Sequence, residues 1–110
     1  MKSEEQKANV FFREYFSGVL EKTNNGYIFT YDDNYLNDVS MPAIAISFPK
    51  NKKQYHSKFL FPFFFGLLSE GVNKEIQCRT LKIDEKDYFT RLIKTAYSDT
   101  IGAVTLKEVA

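Results

Sequence analysis

The sequence has one cysteine, Cys78, one histidine, His56, and no tryptophan. A lone thiol excludes an internal disulfide and a multi-cysteine zinc site, and it fits a reducing cytosol. A lone imidazole makes any histidine-based metal site depend on Cys78 and on carboxylates from separate elements. Glycine and proline are sparse, at 5 and 3 of 110 residues, and no GxGxxG or GxxxxGK[ST] run offers a phosphate cradle. Excess charge of one sign is missing as well. With 15 basic and 14 acidic side chains the formal net charge is +1, which gives counterion release little to act on and argues against nucleic acid as a direct partner. No stretch reaches the roughly 18–20 apolar residues of a membrane span. The amino terminus, MKSEEQKANV, is too charged for a signal peptide. Together these absences predict a soluble, cytoplasmic chain with no membrane contact and no cofactor.

What remains is the content of one ordinary domain. A length of 110 residues suffices to close a hydrophobic core, and 44% hydrophobic with 26% charged residues marks a globular chain. Aromatics are the exception: 11 phenylalanines and 7 tyrosines make 16% of the sequence. Phe59, Phe61, Phe63, Phe64 and Phe65 crowd into one segment.

The first half alternates with period two. After a frayed tail over residues 1–8, Val10, Phe11 and Phe12 open a strand, and Arg13, Glu14 and Tyr15 turn the chain into a second one over 16–22. Thr23-Asn24-Asn25-Gly26 is a hairpin signal, because Asn and Gly tolerate positive φ. A third strand follows over 27–31, with Tyr27, Phe29 and Tyr31 on one face. Asp32 caps a short helical turn through Leu36. Alternation of Ile44, Ile46 and Phe48 predicts a fourth strand over 43–48, stopped by Pro49. Residues 50–58, with four lysines, read as an exposed polar loop.

The second half changes period. Pro62 suits a first helical turn, which predicts a short helix over 63–70 ending at Gly71. Residues 72–81 carry a weaker amphipathic pattern. Asp84 is the expected N-cap of a helix over 84–97, with Asp87 in its first turn. Tyr88, Phe89, Leu92, Ile93, Ala96 and Tyr97 form its apolar stripe. Residues 102–106 make a returning strand. The expected fold class is α+β: an antiparallel β-meander, two or three helices, and a short returning strand, in one domain over 9–107.

Catalytic constellations are thin. His56 in its lysine-rich loop reads as a solvated side chain, and Cys78, between helical neighbours, as a structural thiol rather than a nucleophile. Asp32 and Asp33 are explained as turn and cap residues, as are Asp84, Glu85 and Asp87. Lys50, Lys52, Lys53 and Lys58, interleaved with Tyr55, present either a solvated edge or a few phosphate contacts. The sharper signal is the segment around Phe63 and Phe64, which is apolar around nearly its whole circumference. Either the sheet and neighbouring helices sandwich it, or some of these rings form a partner surface. Beside it, Ser69, Glu70, Gly71, Val72 and Asn73 are candidates for a projecting contact loop, since Gly71 permits a sharp reversal.

The order of these motifs resembles the N-terminal subdomain of HipA-like serine/threonine kinases. The carrying residues are Gly18-Val19-Leu20, Gly26-Tyr27-Ile28-Phe29-Thr30-Tyr31 and Tyr35-Leu36. Ile46-Ser47-Phe48-Pro49 is similar to the family's S-x-S-[LM]-P. Residues 64–71, FFGLLSEG, are similar to its F-x-x-L-L-P-E-G, with Ser69 in place of the usual proline. Phe89, Leu92 and Ile93 follow, and then 99–104, DTIGAV, similar to G-D-x-x-G-A-[VL], with Ser98 where glycine often stands.

Several expectations follow from the resemblance. HipA-like kinases hold their ATP site, catalytic aspartate and metal-binding aspartate in a longer C-terminal part, and these residues cannot assemble one. The chain is therefore expected not to be an enzyme. The resemblance implies a HipS-like protein of the split HipBST toxin–antitoxin type. Such a protein docks on a separate HipA-like (HipT-like) kinase and inhibits it as the antitoxin, while a HipB-like helix-turn-helix protein supplies DNA binding. The alternative is a structural subunit that completes a split kinase and is needed for its activity. A DNA-binding accessory is a third reading, disfavoured by the near-neutral charge.

Overall fold

Two tight reversals start the sheet. The computed structural model describes residues 6–68, 71–84, 86–95 and 103–109. Strand β1 (Gln6–Phe12) turns through Arg13, which takes φ 56°, into β2 (Tyr15–Thr23). Thr23 closes the next hairpin, its Oγ1 accepting from the Asn25 amide at 3.1 Å and donating to the Gly26 carbonyl at 3.2 Å. Gly26, at φ 136°, then opens β3 (Gly26–Tyr31). Any Cβ at this position would sit 2.3 Å from the Ser57 carbonyl oxygen, so the turn needs glycine.

Asp32 caps α1 (Asp33–Asn37), its carboxylate accepting from the Asn34 and Tyr35 amides at 3.1 and 3.3 Å. A long loop leads to β4 (Gln54–Ser57), and the chain continues through α2 (Pro62–Phe65), α3 (Gly71–Leu81), α4 (Tyr88–Thr95) and β5 (Val104–Glu108). All pairings are antiparallel, in the order β4-β3-β2-β1-β5. The architecture is α+β, a five-stranded sheet with short helices.

One sheet face holds the core. Ala8, Val10, Leu20, Phe29, Tyr31, Val104 and Leu106 are buried there against Phe64 of α2 and Phe89, Leu92 and Ile93 of α4. Gly18 lets the Phe29 ring lie over β2, since a Cβ at Gly18 would come within 2.9 Å of that ring. A bulge at Val10 and Phe11 is filled by Ser17, whose buried hydroxyl donates to the Val10 carbonyl at 3.0 Å.

Several sequence expectations are corrected. β1 begins at Gln6 inside the supposed tail, because Gln6 and Lys7 pair with Lys22 and Glu21 while Ala8 pairs with both Leu20 and Glu108. Residues 43–48 are not a strand. Ile44 and Phe48 are buried but Ile46 is fully exposed, and a turn bonds the Phe48 amide to the Ala45 carbonyl at 3.0 Å. The inward residues are spaced by four, not two. The fourth strand instead lies in the supposed polar loop: Tyr55 pairs with Phe29 on the core side, while Gln54 and His56 face solvent.

The helix expected over 63–70 is a four-residue α2 prolonged by turns to Leu68, and Gly71 begins α3 rather than ending its predecessor. Asp84 does not cap α4. It organises the preceding turn through the Lys86 amide at 2.9 Å, and Asp87 caps instead, accepting from the Thr90 amide at 3.2 Å. Ala96, Tyr97, Ser98 and Gly102 lie outside the described residues.

Candidate functional site

The aromatic segment divides by helical geometry. Pro62 occupies the first turn of α2, where a missing amide costs nothing, and the Phe65 and Gly66 amides reach back to the Phe61 and Pro62 carbonyls at 3.0 and 2.9 Å. At about 100° per residue, Phe61, Phe64 and Leu68 share one face, and Phe65 lies at its edge, about 100° round from Phe64. Burial follows: Phe61, Phe64 and Leu68 are in the core, Phe63 is half-buried, and Phe65 is 40% exposed. Phe64 has no surface to offer a partner. It contacts the rings of Phe29, Phe48, Phe61 and Phe63 at centroid distances of 5.2–6.2 Å.

The outward surface is built by two helices. Phe65 meets Tyr88 of α4 edge to face at 5.2 Å, and Tyr88 is 39% exposed. The guanidinium of Arg91, a buried residue one turn on, lies 6.0 Å from the Tyr88 ring centre. Phe59, just before α2, is 74% exposed. The sequence marked Tyr88 only as part of the buried stripe. Its place at the edge of that stripe, next to Phe89, was the available signal.

Of the other candidate residues, Ser69 and Glu70 lie outside the described residues, and Gly71, Val72 and Asn73 form the first turn of α3. Cys78 is buried on α3. His56 is exposed on β4, its Nε2 3.0 Å from Gln54 Oε1. Among the described residues no three His, Cys, Asp or Glu side chains gather to hold a metal, and no helix is long and apolar enough to cross a membrane.

A second feature is the pinned loop between α1 and β4. The Tyr31 hydroxyl accepts from the Ile44 amide at 3.1 Å and donates to the Phe48 carbonyl. Burial pushes its phenol up to about 12, partly offset by the bond from Ile44. The Tyr35 hydroxyl, also raised by burial and then by Asp38, donates to the Pro42 carbonyl at 2.6 Å. Lys50 Nζ donates to the Asp38 and Met41 carbonyls at 2.7 and 2.8 Å and sits 5.0 Å from the Tyr35 ring centre. Hydrogen bonds from the Ser40 hydroxyl and amide, and then the Lys50 charge, hold the Asp38 carboxyl below its usual range.

This fold, with its aromatic segment on α2 and returning β5, matches a known family. The sequence model of the HipA N-terminal domain covers residues 8–107. The chain belongs to the HipA N-terminal domain family. A solved structure described as the N-terminal domain of HipA toxin superposes with a TM-score of 0.77 at 25% identity, over 100% of this chain and 98% of that one. An uncharacterized protein of Haemophilus influenzae (strain ATCC 51907 / DSM 11121 / KW20 / Rd) is 32% identical over 103 residues, 94% of this chain and 92% of that protein. A HipA N-terminal domain by itself is a non-catalytic subdomain, and membership makes this chain a HipA-related toxin–antitoxin component.

Proposed function

We propose that this HipA N-terminal domain acts as a HipS-like antitoxin in the cytoplasm. It is a non-enzymatic module that docks on a separate HipA-like serine/threonine kinase and restrains it, with a HipB-like DNA-binding protein as a further member of the complex. The observation that carries the reading is the outward aromatic pair Phe65 and Tyr88, with Phe59 nearby, on a domain of a toxin family. Exposed aromatics are enriched where proteins meet. The segment 69–73 follows α2 and its aromatic run in the sequence and is proposed as the adjoining contact, with Glu70 and Val72 its leading residues. A specific interface buries on the order of 1,600 Å² in total, so the rings would form the centre of a wider contact.

Growth on co-expression tests the reading. The HipA-like kinase of the same genome is expressed alone, with this chain, and with variants Phe65→Ser/Tyr88→Ser and Glu70→Lys/Val72→Asp. An inhibitor restores growth, and both double variants lose the rescue while remaining folded. A completing subunit gives the opposite sign: the wild-type chain deepens toxicity.

A further inference from the structure

We propose that the free edge of β4 accepts an extended acidic segment of a partner protein as an added strand, with a carboxylate of that segment held by Lys58 and His56. The proposal does not depend on the kinase reading above, and it concerns a different element from the aromatic pair. β4 stands at one border of the sheet and pairs with β3 alone. The Tyr31 amide donates to the Lys53 carbonyl at 2.9 Å, and this fixes the alternation along the strand. Lys53, Tyr55 and Ser57 turn their main-chain groups towards β3, while Gln54 and His56 turn theirs outward. Among the described residues, no main-chain group bonds the outward N–H and C=O of Gln54 and His56.

Charge selects what can lie along this edge. Residues 50–58 hold four lysines and no acid. Lysine blunts an edge strand against a second copy of the same chain, since two such edges laid antiparallel bring like charges together. The same lysines suit an acidic strand. Three of them already have an intramolecular contact: Lys53 lies 2.6 Å from Asp33, Lys50 donates to the Asp38 and Met41 carbonyls, and Lys52 sits 5.0 Å from the Tyr55 ring centre. Lys58 is different. It is exposed, and among the described residues no carboxylate pairs with it. With His56 it borders an open concavity of about 560 Å³ between the β2–β3 hairpin and the end of β4. No carboxylate lines that concavity, and Ile28, directly opposite His56 in register, gives it an apolar wall.

The main-chain edge favours protein over nucleic acid. It offers donors and acceptors in alternation, a pattern that the backbone of another strand completes, while side-chain pockets along it supply specificity. Phosphate groups only accept, so they would leave the Gln54 and His56 carbonyls unmatched. The formal net charge of +1 also gives a nucleic acid little counterion release to draw on.

The isotope-labelled full chain is titrated with a capped peptide alternating valine and glutamate, and with its glutamine counterpart, and amide NMR signals are followed. The glutamate peptide should shift the Gln54 and His56 amides, and the glutamine peptide should bind about tenfold more weakly. Lys58→Glu should weaken the glutamate peptide by a similar factor, and Gln54→Pro should abolish its binding. That proline removes an N–H the sheet does not use, so both variants should melt as the wild type does. If Gln54→Pro melts early, Lys58→Glu decides alone. Equal affinity for the two peptides, shifts confined to residues away from β4, or no binding of the glutamate peptide overturns the proposal. A single-stranded oligonucleotide that shifts the same amides would put nucleic acid in place of the protein segment. A dimer in sedimentation that Gln54→Pro dissolves would put a second copy there.

Discussion

Tyr31 shows how much one side chain organises. Its ring stacks on Tyr35 at 6.0 Å and meets Phe29 edge to face at 4.9 Å, while its hydroxyl bonds residues 13 and 17 positions later. Alternation in the sequence placed the ring on the core side of β3, where it lies. The hydroxyl's partners were not legible, because nothing local couples a strand phenol to the backbone of a distant loop. That missing link is also why 43–48 reads as a strand. Once Tyr31 takes the Ile44 amide and the Phe48 carbonyl, those groups are no longer free to join a ladder. The raised phenol has a consequence for stability. The neutral form is favoured in the fold, so its contribution is fully present below the unfolded value near 10 and is lost as pH rises towards about 12. Tyr27, Tyr35 and Tyr55 are shifted upward by burial in the same sense. Urea denaturation should therefore show lower stability at pH 11 than at pH 9, and a smaller drop in Tyr31→Phe. An equal drop in that variant would remove Tyr31 as the source.

At the scale of elements, α4 is the piece that closes the core over the sheet. Phe89, Leu92 and Ile93 are buried while Lys94 reaches Glu108 of β5 at 3.1 Å, so the helix and the returning strand are joined by both packing and charge. Leu92 is completely buried, and Leu92→Ala should cost about 2 to 5 kcal/mol in urea denaturation. A loss below about 0.5 kcal/mol, the level of surface sites, would contradict its core position. This stripe was legible because a one-sided helix writes its burial at a period of 3.6. Its cap was shifted by three residues because Asp84 and Asp87 both satisfy the same local rule, and only the surrounding turn decides between them. β4 was hidden for a different reason. An edge strand of four residues places one side chain, Tyr55, on the core, and its lysine-rich approach resembles any solvated loop.

For the whole molecule, the meander, the helices and the returning strand were legible as a class, since the strands alternate and the helices do not. The order of motifs points to the family, and the family match over residues 8–107 and the HipA N-terminal domain fold bear it out. Surface and core were harder to separate within the aromatic run. Phe64 and Phe65 are adjacent and chemically identical, and only the direction of a helical turn sends one inward and the other out. The central claim, that this domain docks on a HipA-like kinase and restrains it, is tested most directly by phosphoryl transfer in the purified kinase as this chain is added. The account predicts a rate that falls with added chain and levels off once the kinase is saturated. A rate that stays constant at saturating chain, or that rises from a silent kinase, would contradict it.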